Sequence, residues 1–181
     1  MSSMKRLAIA CGAAVAALTA VGPAIGQDQT SALKGHNTHA PVDVDADRIE
    51  VADRADRAVF SGNVVARQSE LTLNAARVTV AYSHGDGVQI DRLDASGGVT
   101  VRSPTENAVG QFATYDLRSR LITMVGNVTL TKGESHVTGH RLVMDLNTGR
   151  SVMDGGRSGP GGTTTAGGRV SGHFTVPQRN D

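Results

Sequence analysis

The chain has 181 residues, and its charges nearly cancel, with 18 Lys and Arg against 17 Asp and Glu for a net charge of +1. This balance excludes the basic surface that general nucleic-acid binding requires. The one cysteine, Cys11, lies near the N-terminus. We therefore predict a fold held by packing and hydrogen bonds, without disulfides or a thiolate metal site.

The N-terminal residues have the pattern of a secretion signal. A short basic segment precedes an apolar run over residues 7–25, which ends in small residues. We predict a signal peptide over residues 1–26, cleaved after Gly26, and its removal changes the net charge from +1 to −1. The apolar run also approaches the roughly 20 residues that one membrane-spanning helix needs. Gly22 and Pro23 argue against that alternative, because both residues are unfavourable inside a helix.

Alternation of apolar and polar residues dominates the rest of the chain. It is visible in residues 42–46, 71–74, 78–82, 99–101, 122–124, 128–130 and 142–146. A period of two places every second side chain on one face of a sheet. No segment after Gln27 sustains the 3.6-residue period of an amphipathic helix. The sequence therefore predicts an all-β fold.

Part of the chain repeats. Residues 97–117 correspond to residues 126–146 at a constant offset of 29, and an earlier copy lies at an offset of 35, with six extra residues around a predicted hairpin turn at 83–87. Each copy is interpreted as a turn glycine, a strand, a short loop and a second strand. Such antiparallel hairpin units bury their apolar faces by stacking on one another. The repeat predicts a long, curved antiparallel structure with an aliphatic interior and open edges at both ends.

The C-terminal region changes character. Residues 154–168 are rich in Gly, Ser and Thr, which predicts a flexible loop. Residues 169–177 return to alternation and predict a last strand. Residues 27–37 and 179–181 are predicted to be disordered. One folded domain over residues 38–178 remains.

Three motifs carry a resemblance to a known family. Residues 41–47 are a proline followed by alternating aliphatic and acidic residues, Gly-Asn-Val occurs at 62–64 and again at 126–128, and residues 170–178 end in Val-Pro-Gln. In this order, the motifs resemble the first strand, the recurring turn and the closing strand of the LptA/OstA family. The resemblance spans residues 38–178.

The resemblance implies an open, V-shaped β-jellyroll in the periplasm. Its interior is expected to hold the lipid A acyl chains of lipopolysaccharide (LPS), moving LPS from the inner to the outer membrane without enzymatic activity or a cofactor. The open end strands are expected to pair with an LptC-like inner-membrane protein, with an LptD-like outer-membrane protein and with further copies in an end-to-end homo-oligomer. Backbone pairing at open edges is a known mode of strand addition.

Four positions match lipid-contacting positions of the family: Thr38, Val42, Val44 and Val101. The alternative interpretation of the three valines is ordinary core. If these valines contact lipid, a charged substitution abolishes lipid binding, and this effect separates the lipid-contact interpretation from that of ordinary core. We predict that Val44→Glu has this effect.

Other chemistry was considered for the polar residues. Asp43, Asp45 and Asp47 share one face at spacings of about 6.6 Å, which favours a solvated surface over a cation site. His136 and His140 on one strand lie about 13 Å apart, too far to share a metal ion. No nucleophile elbow, phosphate-binding loop or zinc motif follows the signal segment.

Two alternatives to the soluble carrier stay open. One is a membrane-tethered, LptC-like subunit of the same pathway, in which residues 1–25 remain as a helix. The other is a carbohydrate-active enzyme built from β-repeats, which requires clustered carboxylates on one face. The hairpin alternation argues against the enzyme.

Overall fold

A computed structural model of the chain describes residues 36–85, 87–156 and 168–175. The predicted signal peptide, most of the segment 27–37, the centre of the loop 154–168 and the C-terminal tail lie outside these ranges. Within them, no helix has the length and apolarity needed to cross a bilayer.

Ten strands and one 3-10 turn, Asp53–Ala55, make up the regular structure of the described residues. The strands are β1 (Asp43–Asp45), β2 (Arg48–Ala52), β3 (Arg57–Gln68), β4 (Leu71–His84), β5 (Val88–Arg102), β6 (Glu106–Asp116), β7 (Leu121–Lys132), β8 (Ser135–Asp145), β9 (Arg150–Asp154) and β10 (Ser171–His173). Neighbouring strands along β3 to β8 pair in chain order, and every pairing is antiparallel. The sheet is open, and the predicted all-β class is confirmed.

Short turns with built-in hydrogen bonds connect the long strands. Between β6 and β7, the Asp116 carboxylate accepts a hydrogen bond of 2.8 Å from the Ser119 backbone N–H. Between β8 and β9, Asp145 accepts one of 2.8 Å from Asn147. These aspartates are 29 residues apart, the offset of the sequence repeat. The repeat therefore encodes the turns of the sheet.

The glycines of the repeat lie inside strands, so the prediction that they are turn glycines was wrong. Gly62, Gly97 and Gly126 have φ values of 79°, 85° and 88°, and the strand register shifts beside each of them. They form bulges that bend β3, β5 and β7. Turns and bulges both use positive φ, which glycine adopts at low cost. The sequence signal is therefore the same for both.

The bulges divide the sheet into two parts that share the six long strands. We call them the β1 arm and the β2 arm. The β1 arm comprises β1, residues 64–68, 71–75, 99–102, 106–110, 128–132 and 135–139, and β10; the β2 arm comprises β2, residues 57–61, 77–84, 88–96, 112–116, 121–125 and 141–145, and β9. The inward side chains of both arms form one hydrophobic cluster. The arms therefore face each other across a shared interior.

The two ends of the sheet are built alike. At one end, β1 pairs with β3 in the β1 arm and β2 pairs with β3 in the β2 arm. At the other end, β10 pairs with β8 in the β1 arm and β9 pairs with β8 in the β2 arm. The last strand, predicted over residues 169–177, is shorter, because only Ser171–His173 form β10. Residues 169–170 and 174–175 are not strand, and residues 176–177 lie outside the described ranges.

Candidate functional site

The interior between the arms is lined by continuous cross-strand rows of apolar side chains. One row crosses the β1 arm as Val44, Ala66, Leu73, Val101, Ala108, Leu130 and Val137. A second row crosses the β2 arm as Ala58, Val80, Leu93, Tyr115, Ile122 and Met144. Because side chains alternate along each strand, these rows share the inner face. The result is an apolar inner wall that runs across the strands.

A small apolar cavity remains between the arms. Its volume is about 20 Å³. Its wall includes Leu71 and Val101 of the β1 arm, Val42 just before β1, and Leu93 and Ile122 of the β2 arm. A second cavity of about 10 Å³ lies beside it, between Leu71, Val101 and Met144, among others. A space of this size holds about one water molecule. Neither cavity therefore has room for a hydrocarbon chain.

The side chain of Gln68 closes one end of this interior. It is 3% exposed, and its amide nitrogen donates hydrogen bonds to the carbonyl oxygens of Thr38 (3.0 Å) and Ala40 (2.9 Å). Its amide oxygen accepts a hydrogen bond of 2.8 Å from the Tyr115 hydroxyl. The His36 Nε2 atom lies 3.1 Å from the same oxygen. Gln68 thus joins the β1 arm, the β2 arm and the residues that precede β1.

Tyr115 is suited to this contact because its hydroxyl stays protonated. Burial raises the pKa of Tyr115 to about 12, and the nearby Arg120 opposes that shift. At neutral pH the hydroxyl is therefore a hydrogen-bond donor. Its one polar atom meets Gln68 while the ring lies among the apolar residues, as a buried tyrosine requires.

The four predicted site residues all belong to the β1 arm or to its N-terminal approach. Val42 and Val101 line the same cavity. Val44 is half-buried, packs on the hydrophobic cluster and pairs with Ala66 of β3. Thr38 contributes its backbone carbonyl to Gln68 and is not part of the cavity wall.

Gln68 and Tyr115 were not predicted from the sequence. The sequence does contain a signal for Gln68, because Val64, Ala66 and Gln68 are alternate residues of β3 and therefore lie on the same inward face. A polar residue at an inward position requires hydrogen-bond partners. Tyr115 occupies the position that Met144 takes one repeat later, so a hydroxyl enters the interior where the repeat otherwise has an apolar side chain.

Three of the five polar residues considered for metal binding have other partners. Asp45 forms an ion pair with Arg67, and Asp47 accepts a hydrogen bond of 2.9 Å from Asn63. His136 stacks on His173 of β10, with ring centroids 5.4 Å apart. Within the described ranges, no three His, Cys, Asp or Glu side chains form a group that could hold a metal ion.

The edge strand of the β2 arm exposes apolar side chains. Ile49 and Val51 are 56% and 55% exposed. They pair with Phe60 and Ala58 of β3, so they extend the inner apolar face to the end of the sheet. The backbone of β2 has β3 on one side and no strand of the described chain on the other.

These features define the chain as an open β-jellyroll protein with an aliphatic interior. The model of the family described as LptA/(LptD N-terminal domain) LPS transport protein matches residues 43–150, more than half of the chain. The chain therefore belongs to this family of LPS transport proteins. The family resemblance predicted from the motifs is confirmed.

Two further comparisons identify similar proteins. An uncharacterized protein of Rhizobium meliloti strain 1021 is 31% identical over 163 residues, which cover 82% of this chain and 88% of that protein. The chain is also similar to the crystal structure of LptH from Pseudomonas aeruginosa, described as the LptA homologous periplasmic component of the conserved lipopolysaccharide transport device. The TM-score is 0.66 at 17% identity, over 78% of this chain and 99% of that one. This second likeness shows the fold, an open β-jellyroll.

Proposed function

We propose that the chain carries LPS through the periplasm, holding the acyl chains between its two arms. The observation that carries the proposal is the continuous aliphatic inner face in a member of an LPS transport family. Burying apolar chain surface contributes about 0.8 kcal/mol per methylene group. A wall of valine, leucine, isoleucine and methionine therefore binds acyl chains without any reacting group.

The interior supports a passive carrier. Its cavities are too small for an acyl chain while the arms pack together. Entry of lipid replaces contacts between the arms by contacts with the chains, so the two states differ by a modest free energy. Because apolar contacts stabilise both the lipid-free and the lipid-bound state, the lipid can also leave. Direction of transport must then come from the proteins that deliver and receive the lipid.

The edges of the sheet are the surfaces that we propose for partner binding. Open strands with unpaired backbone groups accept a further strand by β-augmentation. The exposed Ile49 and Val51 would continue the apolar inner face into a neighbouring domain of the same fold. In this proposal the neighbours are an LptC-like protein at the inner membrane, an LptD-like protein at the outer membrane and further copies of the chain.

Localisation in the periplasm rests on the N-terminal sequence and on the periplasmic location of the LptA-homologous LptH. We propose that residues 1–26 are removed on export. N-terminal sequencing of the protein from cells checks this. A mature chain that starts at Gln27 supports the soluble carrier, and an intact N-terminus supports the tethered alternative.

The test of lipid binding compares two valine-to-glutamate variants. Val44→Glu places a charge on the inner face beside Ala66, where burial of an unpaired carboxylate costs several kcal/mol. Val109→Glu makes the same change on the outer face, at a position that is 42% exposed. Purified LPS is added to each protein, and binding is measured by co-elution. We expect Val44→Glu to lose binding and Val109→Glu to retain it.

The experiment needs a fold control, and two outcomes would contradict the proposal. Circular dichroism must first show that Val44→Glu has the strand content of the wild type. A folded Val44→Glu protein that still binds LPS contradicts the assignment of Val44 to the site. Absence of LPS binding by the wild type itself contradicts the proposed function.

A further inference from the structure

Residues 36–40, which we call the strap, connect the ends of the two arms. The Gln68 amide, at the last residue of β3, donates to the Thr38 and Ala40 carbonyl oxygens. On the other side, the His39 ring lies 2.9 Å from a guanidinium nitrogen of Arg120 in the β6–β7 turn of the β2 arm. The strap is thus attached to both arms.

The strap also has its own internal order. The Thr38 backbone N–H donates to the His36 carbonyl oxygen at 3.0 Å, and the Ala40 N–H donates to that of Asn37 at 3.1 Å. The Asn37 side chain accepts a further bond from the backbone of His39. The segment is therefore a short folded element and not an extended tail.

Gln68 is the central group of this arrangement because all its hydrogen-bonding capacity is used. Both amide hydrogens reach strap carbonyls, and the amide oxygen faces the Tyr115 hydroxyl and His36. A glutamine amide has two donors and one carbonyl acceptor with two lone pairs. The side chain is also 3% exposed, so losing a partner without solvent access is costly.

The cavity beside this network is bounded by the same residues. Gln68 and Tyr115 line it together with Val42, two residues after the strap. The cavity volume of about 20 Å³ holds no acyl chain. Separation of the arms would pull Tyr115 away from Gln68, and withdrawal of the strap would break the two bonds to its carbonyl oxygens.

We propose that Gln68 and the strap form a latch that holds the two arms together and must open before an acyl chain enters. The proposal rests on the proposed function and adds its regulation. A closed latch makes the binding-competent state a minor population, which lowers apparent affinity by that fraction. Loosening the latch therefore speeds lipid association.

The main variant is Gln68→Leu, which keeps an inward side chain and removes every hydrogen bond of the amide. Tyr115→Phe removes the hydrogen bond from the β2 arm to Gln68 and leaves the two bonds from Gln68 to the strap intact. Arg92→Ala is the matched control, because it removes a hydrogen bond of 2.9 Å to Asp94 on the outer face. A thermal melt with one cooperative transition shows that a variant keeps the fold, also where the loss of buried hydrogen bonds lowers the midpoint.

Two measurements report on the latch without assuming that LPS is the cargo. Hydrogen exchange of the backbone N–H groups of residues 38–40 and 42–44 reports opening of the strap. The association rate of a naturally fluorescent polyene fatty acid reports access to the interior. In Gln68→Leu we expect both rates to rise about tenfold, since several hydrogen bonds are lost. Tyr115→Phe is expected to give a smaller rise, and Arg92→Ala none.

The outcomes separate the latch from the carrier function. Unchanged fatty-acid association in Gln68→Leu, with faster exchange of the strap, shows that the strap does not control access and overturns the proposal. Equal increases in Gln68→Leu and Arg92→Ala overturn it as well. Binding of LPS by the wild type is measured in parallel, and its absence counts against the proposed function while leaving the latch to be judged by the fatty acid.

Discussion

The two arms share six strands and one hydrogen-bond pattern, but they bury different side chains. Among the largest fully buried side chains of the described residues, the β2 arm contributes Leu93, Ile122, Met124, Leu142, Met144 and Val78, and the β1 arm contributes the valines Val64, Val99 and Val128. Larger buried side chains make more dispersion contacts and remove more apolar area from water. The β1 arm also buries Leu71 and Leu73, which are 5% exposed. The β2 arm still holds more of the fully buried large side chains and is expected to contribute more to stability.

The β1 arm instead contains the residues that point to binding. The predicted contacts Val44 and Val101 belong to it, and Val42 and Thr38 immediately precede it. Its end also holds the one buried amide of the described core, Gln68. The comparison suggests a division of roles within one sheet, with a well-packed β2 arm as the fixed wall and the β1 arm with its strap as the wall that opens.

The largest expected effect is a cavity in the β2 arm. Leu142 is 0% exposed, and Leu142→Ala is expected to lower the free energy of unfolding by about 3 kcal/mol, the lost transfer free energy plus a cavity term. Val128→Ala in the β1 arm removes fewer atoms at an equally buried position and is expected to cost about half as much. Urea unfolding measures both. If Val128→Ala lowers the free energy of unfolding as much as Leu142→Ala or more, the proposed difference in stability between the arms is wrong.

An intermediate effect is expected at the bend between the arms. Gly126 has φ +88°, and a Cβ atom there would lie 2.6 Å from Cγ of Gln111. Gly126→Ala is expected to cost about 2 kcal/mol from backbone strain and this overlap. Gly133 has a smaller positive φ of 56°, with no atom within 4 Å of a new Cβ, so Gly133→Ala measures the cost of a positive φ without an overlap. Equal unfolding midpoints for the two variants would contradict a tightly packed bend.

The smallest expected effect concerns the turns at the end of the β2 arm. The backbone N–H of Ser119 lowers the pKa of Asp116 from 3.8, and that of Asn147 lowers the pKa of Asp145. Because the folded pKa is depressed, this stabilisation is complete above the ordinary value and is lost as the pH falls through the folded value. Asparagine at both positions keeps an acceptor oxygen but no charge. The double variant Asp116→Asn, Asp145→Asn should lose less stability than the wild type as the pH falls below the ordinary pKa of an aspartate.

Urea midpoints at several pH values measure this difference. The variant is expected to start slightly less stable than the wild type near neutral pH and to converge with it in acid. Parallel curves across the whole range would show that the two turns contribute nothing to the acid sensitivity.

Much of the fold was predictable because side-chain alternation is a local property. The inward residues of β4 and β7 follow from their period of two, and the 29-residue repeat fixed the relation between the Asp116 and Asp145 turns. Gly126 was harder, since positive φ suits a hairpin turn and a bulge equally well. The choice between them depends on whether β7 continues past the glycine to pair with β8, which is a tertiary question.

The candidate site also contains residues that the sequence predicted and one whose role it did not predict. Val42, Val44 and Val101 are inward by pattern, and the family resemblance singled them out. The role of Gln68 could not be predicted, because its partners Tyr115 and Thr38 lie 47 and 30 residues away in the chain. An inward glutamine signals that partners are needed, but not which ones.

The sequence by itself determined the antiparallel strands, the aliphatic inner face and the family, because periodicity, turn residues and motifs act over short distances along the chain. The tertiary structure alone decided that bulges bend the strands into two arms and that the arms differ in packing. It also decided that a buried amide joins the arms to the strap. These features depend on contacts between residues far apart in sequence, where burial and hydrogen-bond satisfaction select one arrangement among many.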